Sequence, residues 1–189
     1  MKKLAIFGSG VGSNAENICD YFKNSSDIEV VLMCTNNKDA FIVNRAKKLN
    51  IPLVFTSKTG LLKFDDLAKT LKNYDVDYII LAGFLLKIPS RMISTYPNKI
   101  INLHPSLLPK YGGKGMYGSN VHKAVLENKE IQTGITIHLV NQNYDEGKII
   151  KQYACDVSKN EILSSLESKI HKLEFSNFPQ TLEKYILKN

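Results

Sequence analysis

A chain of 189 residues with 43% hydrophobic content can bury one sizeable core, and its apolar residues show no second block. The net charge of +7 comes almost wholly from scattered lysines, with Arg45 and Arg91 the only arginines, which argues against a nucleic-acid-binding protein and for affinity toward small anions. Cys19, Cys34 and Cys155 lack the spacing of a disulfide framework or a zinc knuckle, and no apolar stretch approaches membrane-spanning length, so the expectation is a soluble, cytoplasmic chain with no metal and no membrane partner.

Residues 4–7 form a short apolar run that suits a buried parallel strand, and Gly8-Ser9-Gly10-Val11-Gly12-Ser13-Asn14 follows. A helix comes next with Val11, Ala15, Ile18 and Phe22 on one face, and Ser13 and Glu16 have the spacing of a capping box. Strand, glycine loop and helix start together make an anion cradle, because free N–H groups and the positive end of the helix dipole address a phosphate. A dinucleotide site fits less well. The spacing is Gly-x-Gly-x-Gly, and the next strand, 29–34, leads into Thr35-Asn36-Asn37 instead of an acidic residue. The alternative is a tight β–α turn that binds nothing.

Strand and helix patterns then alternate: a helix at 40–49, a strand at 53–55, a helix at 60–72 and a strand at 78–82. This predicts an α/β fold with a doubly wound, mostly parallel sheet. After Gly83, the segment Phe84-Leu85-Leu86-Lys87-Ile88 either lines a pocket or is the first turn of a helix opened by Pro89.

Within Ile100-Ile101-Asn102-Leu103-His104-Pro105-Ser106-Leu107-Leu108-Pro109, strand alternation puts Asn102 and His104 on one face and Ile101 and Leu103 on the other. A donor amide thus sits beside a titratable base, and Pro105 ends the strand. Both side chains could equally be ordinary strand-end polar groups. The glycine-rich loop 112–118 is either a mobile flap or a surface excursion before a helix at 121–126, whose His122 would be packed or on the surface.

Alternating patterns at 134–140 and 148–154 predict an antiparallel C-terminal hairpin. In its connection, Asp145 and Glu146 are either turn residues or place Asp145 against His104, where a carboxylate would raise the imidazole pKa and keep it charged. A second capping box, Ser158 to Glu161, opens a long helix with the stripe Ile162, Leu166, Ile170 and Leu173. His171 and Glu174 share a face beside that stripe, and Pro179 interrupts the pattern before a terminal segment, 181–187.

The glycine loop, the strand end Leu81-Ala82-Gly83-Phe84, the run from Asn102 to Pro109 and the turn Asp145-Glu146-Gly147 together resemble the phosphoribosylglycinamide formyltransferases of the tetrahydrofolate-dependent formyltransferase superfamily. The resemblance implies one formyltransferase domain over 1–189, with a phosphate-binding half at about 1–100 and a folate-binding and catalytic half at about 101–189. It implies formyl transfer from 10-formyltetrahydrofolate, a co-substrate, to the amine of phosphoribosylglycinamide in purine biosynthesis.

Asn102, His104 and Asp145 would be catalytic. Gly12, Ser13, Asn14, His171 and Glu174 would hold the ribonucleotide. Leu85, Leu86, Lys87, Ile88, Asn102, Asn141, Tyr144 and Asp145 would hold the folate. Relatives often carry an arginine near residues 58–63, where this chain has Lys58 and Lys63. The partners implied are small molecules, for a monomer or homodimer. Alternatives are a formyltetrahydrofolate hydrolase, which would carry a domain ahead of the first strand, a sugar-amine formyltransferase, and a non-catalytic nucleotide-binding module.

Overall fold

The computed structural model describes residues 1–189. Strands β1 (Lys2–Phe7), β2 (Ile28–Thr35), β3 (Leu53–Phe55), β4 (Tyr78–Leu81), β5 (Ile100–His104), β6 (Gln132–Leu139) and β7 (Ile149–Asp156) build one sheet in the order β3-β2-β1-β4-β5-β6-β7. The first five pair in parallel, and β6 and β7 add antiparallel. The α/β class and the antiparallel C-terminal hairpin are as the sequence patterning predicts.

Helices α1 (Ser13–Phe22), α2 (Ile42–Lys48), α3 (Lys58–Lys63), α4 (Asp65–Asn73), α5 (Ser90–Thr95), α6 (Ser119–Glu127) and α7 (Leu163–Lys188) cover the two faces. One core cluster joins Leu4, Ile6, Ile80 and Ile101 to Ile18, Val125, Ile170 and Phe178. The other joins Phe7, Ile79 and Ile100 to Leu61, Leu71 and Met92. The chain steps outward from β1 to β3 and returns on the other side of β1 as β4. Open α/β sheets bind ligands at such a reversal, outside the carboxyl ends of the strands.

Five helix features differ from the sequence patterning. The helix expected at 60–72 is two helices, broken at Phe64, which takes a left-handed backbone (φ 62°) and is fully buried. Leu61, Phe64, Leu67 and Leu71 keep helical spacing across the break, so the apolar pattern does not reveal it. The Ser13 to Glu16 box is not made: Gly12 caps α1 without a side-chain bond, and Glu16 pairs with Arg45 and Lys48 instead. Val11, expected on the buried face, is 61% exposed.

In the Ser158 to Glu161 box the Ser158 N–H donates to Glu161 Oε2 at 3.2 Å, but α7 begins at Leu163 and leaves Ile162 exposed. Pro179, expected to interrupt, lies inside α7. A proline leaves the carbonyl four residues earlier without its helical donor. Here that carbonyl, Phe175 O, accepts from Asn17 Nδ2 at 3.0 Å, so α1 supplies what the helix cannot.

Candidate active site

The loop between β1 and α1 is fixed from three directions. Gly8 N–H donates to Cys34 O at 3.0 Å, Ser9 N–H donates to Gly83 O at 2.9 Å, and Ile42 N–H donates to Gly10 O at 3.2 Å. Gly12 is left-handed (φ 75°), and a Cβ there would lie 2.8 Å from the Ile42 side chain, so only glycine fits. The N–H groups of Gly10, Val11, Gly12, Ser13 and Asn14 donate to no backbone acceptor. They border a cleft of about 1040 Å³.

β5 ends in the same cleft. Its C-terminal residues Asn102 and His104 pair across β6 with His138 and Thr136. The turn beyond is pinned by buried polar bonds: Thr136 Oγ1 donates to Ser106 O at 2.6 Å and accepts from Leu108 N at 3.0 Å, and Gln152 Nε2 donates to Leu108 O at 2.9 Å. Leu108 O and Ser106 O would otherwise be unpaired carbonyls inside the fold.

Asp145, held in a left-handed backbone (φ 56°), is the hub of the polar cluster. Its Oδ1 lies 3.5 Å from His104 Nδ1, 3.5 Å from Asn102 Nδ2 and 3.6 Å from His138 Nε2, and its Oδ2 accepts from Gly113 N–H at 2.9 Å. The glycine loop is therefore tied to the cluster at its start, and residues 113–118 line the cleft.

Burial alone would raise the Asp145 carboxyl, but the neighbouring imidazoles of His138 and His104 and the Gly113 amide outweigh it and hold the group below its ordinary range. His104 behaves opposite to expectation. Burial is the largest influence and pushes its imidazole below the ordinary value, against Asp145 and the Tyr111 carbonyl, which raise it. Only 4% exposed, with Nε2 2.8 Å from Tyr111 O, the ring is too far from solvent for one carboxylate to keep it charged.

α7 forms the opposite wall. His171 Nε2 lies 3.1 Å from Ser13 Oγ, and Glu174 Oε2 accepts from Asn14 Nδ2 at 2.8 Å. Burial raises the Glu174 carboxyl, and the Asn14 bond lowers it in part. The cleft thus brings Gly12, Ser13, Asn14, His171 and Glu174 together with Asn102, His104 and Asp145.

The residues expected to hold a folate divide. Leu85 lines the main cleft, while Leu86, Lys87, Ile88 and Asn141 line a small adjoining pocket of about 70 Å³. Asn102, Tyr144 and Asp145 border both. Lys87 Nζ sits 5.6 Å over the Tyr144 ring and so bridges the two loops of the small pocket. No group of three or more His, Cys, Asp or Glu side chains is placed to hold a metal ion.

Two further residues belong to the site. His138 Nε2 lies 3.0 Å from Asn102 Nδ2, while its Nδ1 donates to Leu139 O at 2.8 Å. With Nδ1 donating, Nε2 accepts from Asn102, which fixes the amide with its nitrogen toward His138 and Asp145, whose Oδ1 lies 3.5 Å from Nδ2. The register that pairs Asn102 with His138 is set by the folded sheet, and no local sequence signal gives it. His122 also lines the cleft. It is buried with Nδ1 unpartnered, and burial pushes its imidazole down.

The formyl transferase family model matches residues 2–182. The chain is 34% identical to the phosphoribosylglycinamide formyltransferase of Bacillus subtilis, over 98% of this chain and 95% of that one. To the chloroplastic phosphoribosylglycinamide formyltransferase of Arabidopsis thaliana it is 41% identical over 91% of its length, spanning 62% of the plant protein. The crystal structure of phosphoribosylglycinamide formyltransferase from Bacillus halodurans superposes with a TM-score of 0.87 at 32% identity, over 98% and 95% of the two chains. Glycinamide ribonucleotide transformylase 1 from Geobacillus kaustophilus gives 0.87 at 30% identity, over 96% and 97%. The chain therefore belongs to the formyl transferase family, among the members named phosphoribosylglycinamide formyltransferase.

Proposed function

We propose that this chain transfers the formyl group of 10-formyltetrahydrofolate to the amine of phosphoribosylglycinamide, a step of purine biosynthesis. The observation that carries the reading is that the uncommitted amides of residues 10–14 and the Asn102, His104, Asp145 cluster open onto one cleft. An anchored phosphate at one end holds an amine at the other. Ser13 and Asn14 would supply helix-start donors to the phosphate, with His171 beside them, and the Glu174 carboxylate would accept from hydroxyls of the sugar. The folate would enter over Leu85 and between Leu86, Lys87, Ile88, Asn141 and Tyr144.

The amine attacks the formyl carbon, and the carbonyl oxygen becomes an oxyanion that accepts from Asn102 Nδ2. Such a donor is worth about 2.7–4 kcal/mol in the transition state. His104, neutral at rest because it is buried, takes a proton from the attacking nitrogen. The imidazolium so formed faces ionised Asp145, which favours it only at this stage. It returns the proton to the folate nitrogen as the carbon–nitrogen bond breaks, giving tetrahydrofolate and the formylated ribonucleotide. Positioned proton transfer of this kind contributes on the order of 10²–10⁴-fold.

The test is absorbance of a 10-formyl folate analogue incubated with the protein, with and without phosphoribosylglycinamide. Deformylation that requires the acceptor is the expected result. Deformylation without it would make the protein a hydrolase.

A further inference from the structure

Arg45, on α2, lies outside the residues assigned to the ribonucleotide, yet its Nε donates to Val11 O at 2.9 Å. The neighbouring carbonyl, Gly10 O, accepts from Ile42 N–H of the same helix. In a planar trans peptide the N–H points opposite to the C=O. With both carbonyls drawn toward α2, the Val11 and Gly12 N–H groups face away from it, toward the cleft that residues 10–14 line.

The same guanidinium pairs through Nη1 with Glu16, in the first turn of α1, and lies 5.1 Å over the Phe41 ring. Glu16 would otherwise set a negative charge one turn from the cradle. Lys48 Nζ, 3.0 Å from Glu16, shares that neutralisation but makes no bond to the loop.

We propose that Arg45 is a positioning residue that makes the cradle selective for a phosphorylated acceptor, by orienting two consecutive loop amides and neutralising Glu16. The proposal rests on reading residues 12–14 as the phosphate site. Its geometry accounts for an arginine here: a planar fork can donate to a carbonyl and pair with a carboxylate at once, and a lysine ammonium is a single point charge.

The experiment compares kcat/KM for phosphoribosylglycinamide and for the same acceptor lacking its phosphate, in the native protein, Arg45→Met and Arg45→Lys. A single charge-assisted bond corresponds to about a tenfold effect, so Arg45→Met is expected to lower the ratio of the two values about tenfold, with Arg45→Lys between it and the native protein. Calorimetric titration with inorganic phosphate should show a matching loss of affinity. Equal loss on both acceptors would make Arg45 merely structural, and no loss on either would remove it from phosphate recognition; either overturns the proposal. A native protein indifferent to the phosphate would instead overturn the reading of the cradle itself.

Discussion

The amide nitrogen of Asn102 lies 3.0 Å from Nε2 of His138 across the β5–β6 pair, and that contact decides which way the amide faces. A rotated amide would present its oxygen, not a donor, to the developing oxyanion. His138→Ala should therefore lower kcat on the order of 10–100-fold, part of what removing the donor itself would cost, with little change in KM. His138→Gln, which can still accept, should recover part of the loss. Steady-state kinetics on the purified variants check this.

Ser9 joins the anion loop to the apolar loop after β4: its Oγ donates to Asn36 Oδ1 at 2.5 Å and accepts from Leu85 N–H at 2.9 Å. Ser9→Ala leaves the Leu85 N–H unpaired, a loss of about 1–3 kcal/mol. The expected signature is a raised KM for the folate, beyond any change in KM for the ribonucleotide, measured by varying each substrate in turn.

Of the fold, the strand and helix order was legible because apolar periodicity and glycine punctuation are local. Strand parity alone placed Asn102 and His104 together. What was not legible depends on contacts distant in sequence. Pro179 stays inside α7 because Asn17 serves the orphaned Phe175 carbonyl, and no feature near residue 179 announces that. His138 lies in an alternating strand whose register only the folded sheet defines. The imidazole of His104 departs from the motif for a related reason: the carboxylate partner is visible in the sequence, whereas the depth of burial that outweighs it is a property of the whole fold.

The Asn17 bond gives a thermodynamic cycle. Asn17→Ala should destabilise the protein by about 1 kcal/mol, because it strands a half-buried carbonyl. In a Pro179→Ala background residue 179 regains an N–H that can serve Phe175 O, so the same substitution should cost less. Urea unfolding of the four proteins measures the coupling.

His104 and His122 are both lowered by burial, so the unfolded chain binds protons that the native protein refuses. Their contribution to stability is full above the ordinary histidine value of 6.5 and is lost as pH falls from there through their folded values. Asp145, held low, contributes above its ordinary 3.8 and is lost only as pH falls through its depressed value. Between about pH 7.5 and 5.5 the melting temperature should fall, and the fall should be shallower in His104→Asn and in His122→Asn. Scanning calorimetry across that interval reads the slopes.

The central claim, that Asn102, His104 and Asp145 carry the chemistry while the loop carries the binding, is tested most directly by pairing turnover with ribonucleotide affinity in Asn102→Ala, His104→Ala and Asp145→Asn. The expected result is a fall in kcat of roughly 10²–10⁴-fold with calorimetric affinity for phosphoribosylglycinamide retained. Variants that turn over at the native rate would contradict it.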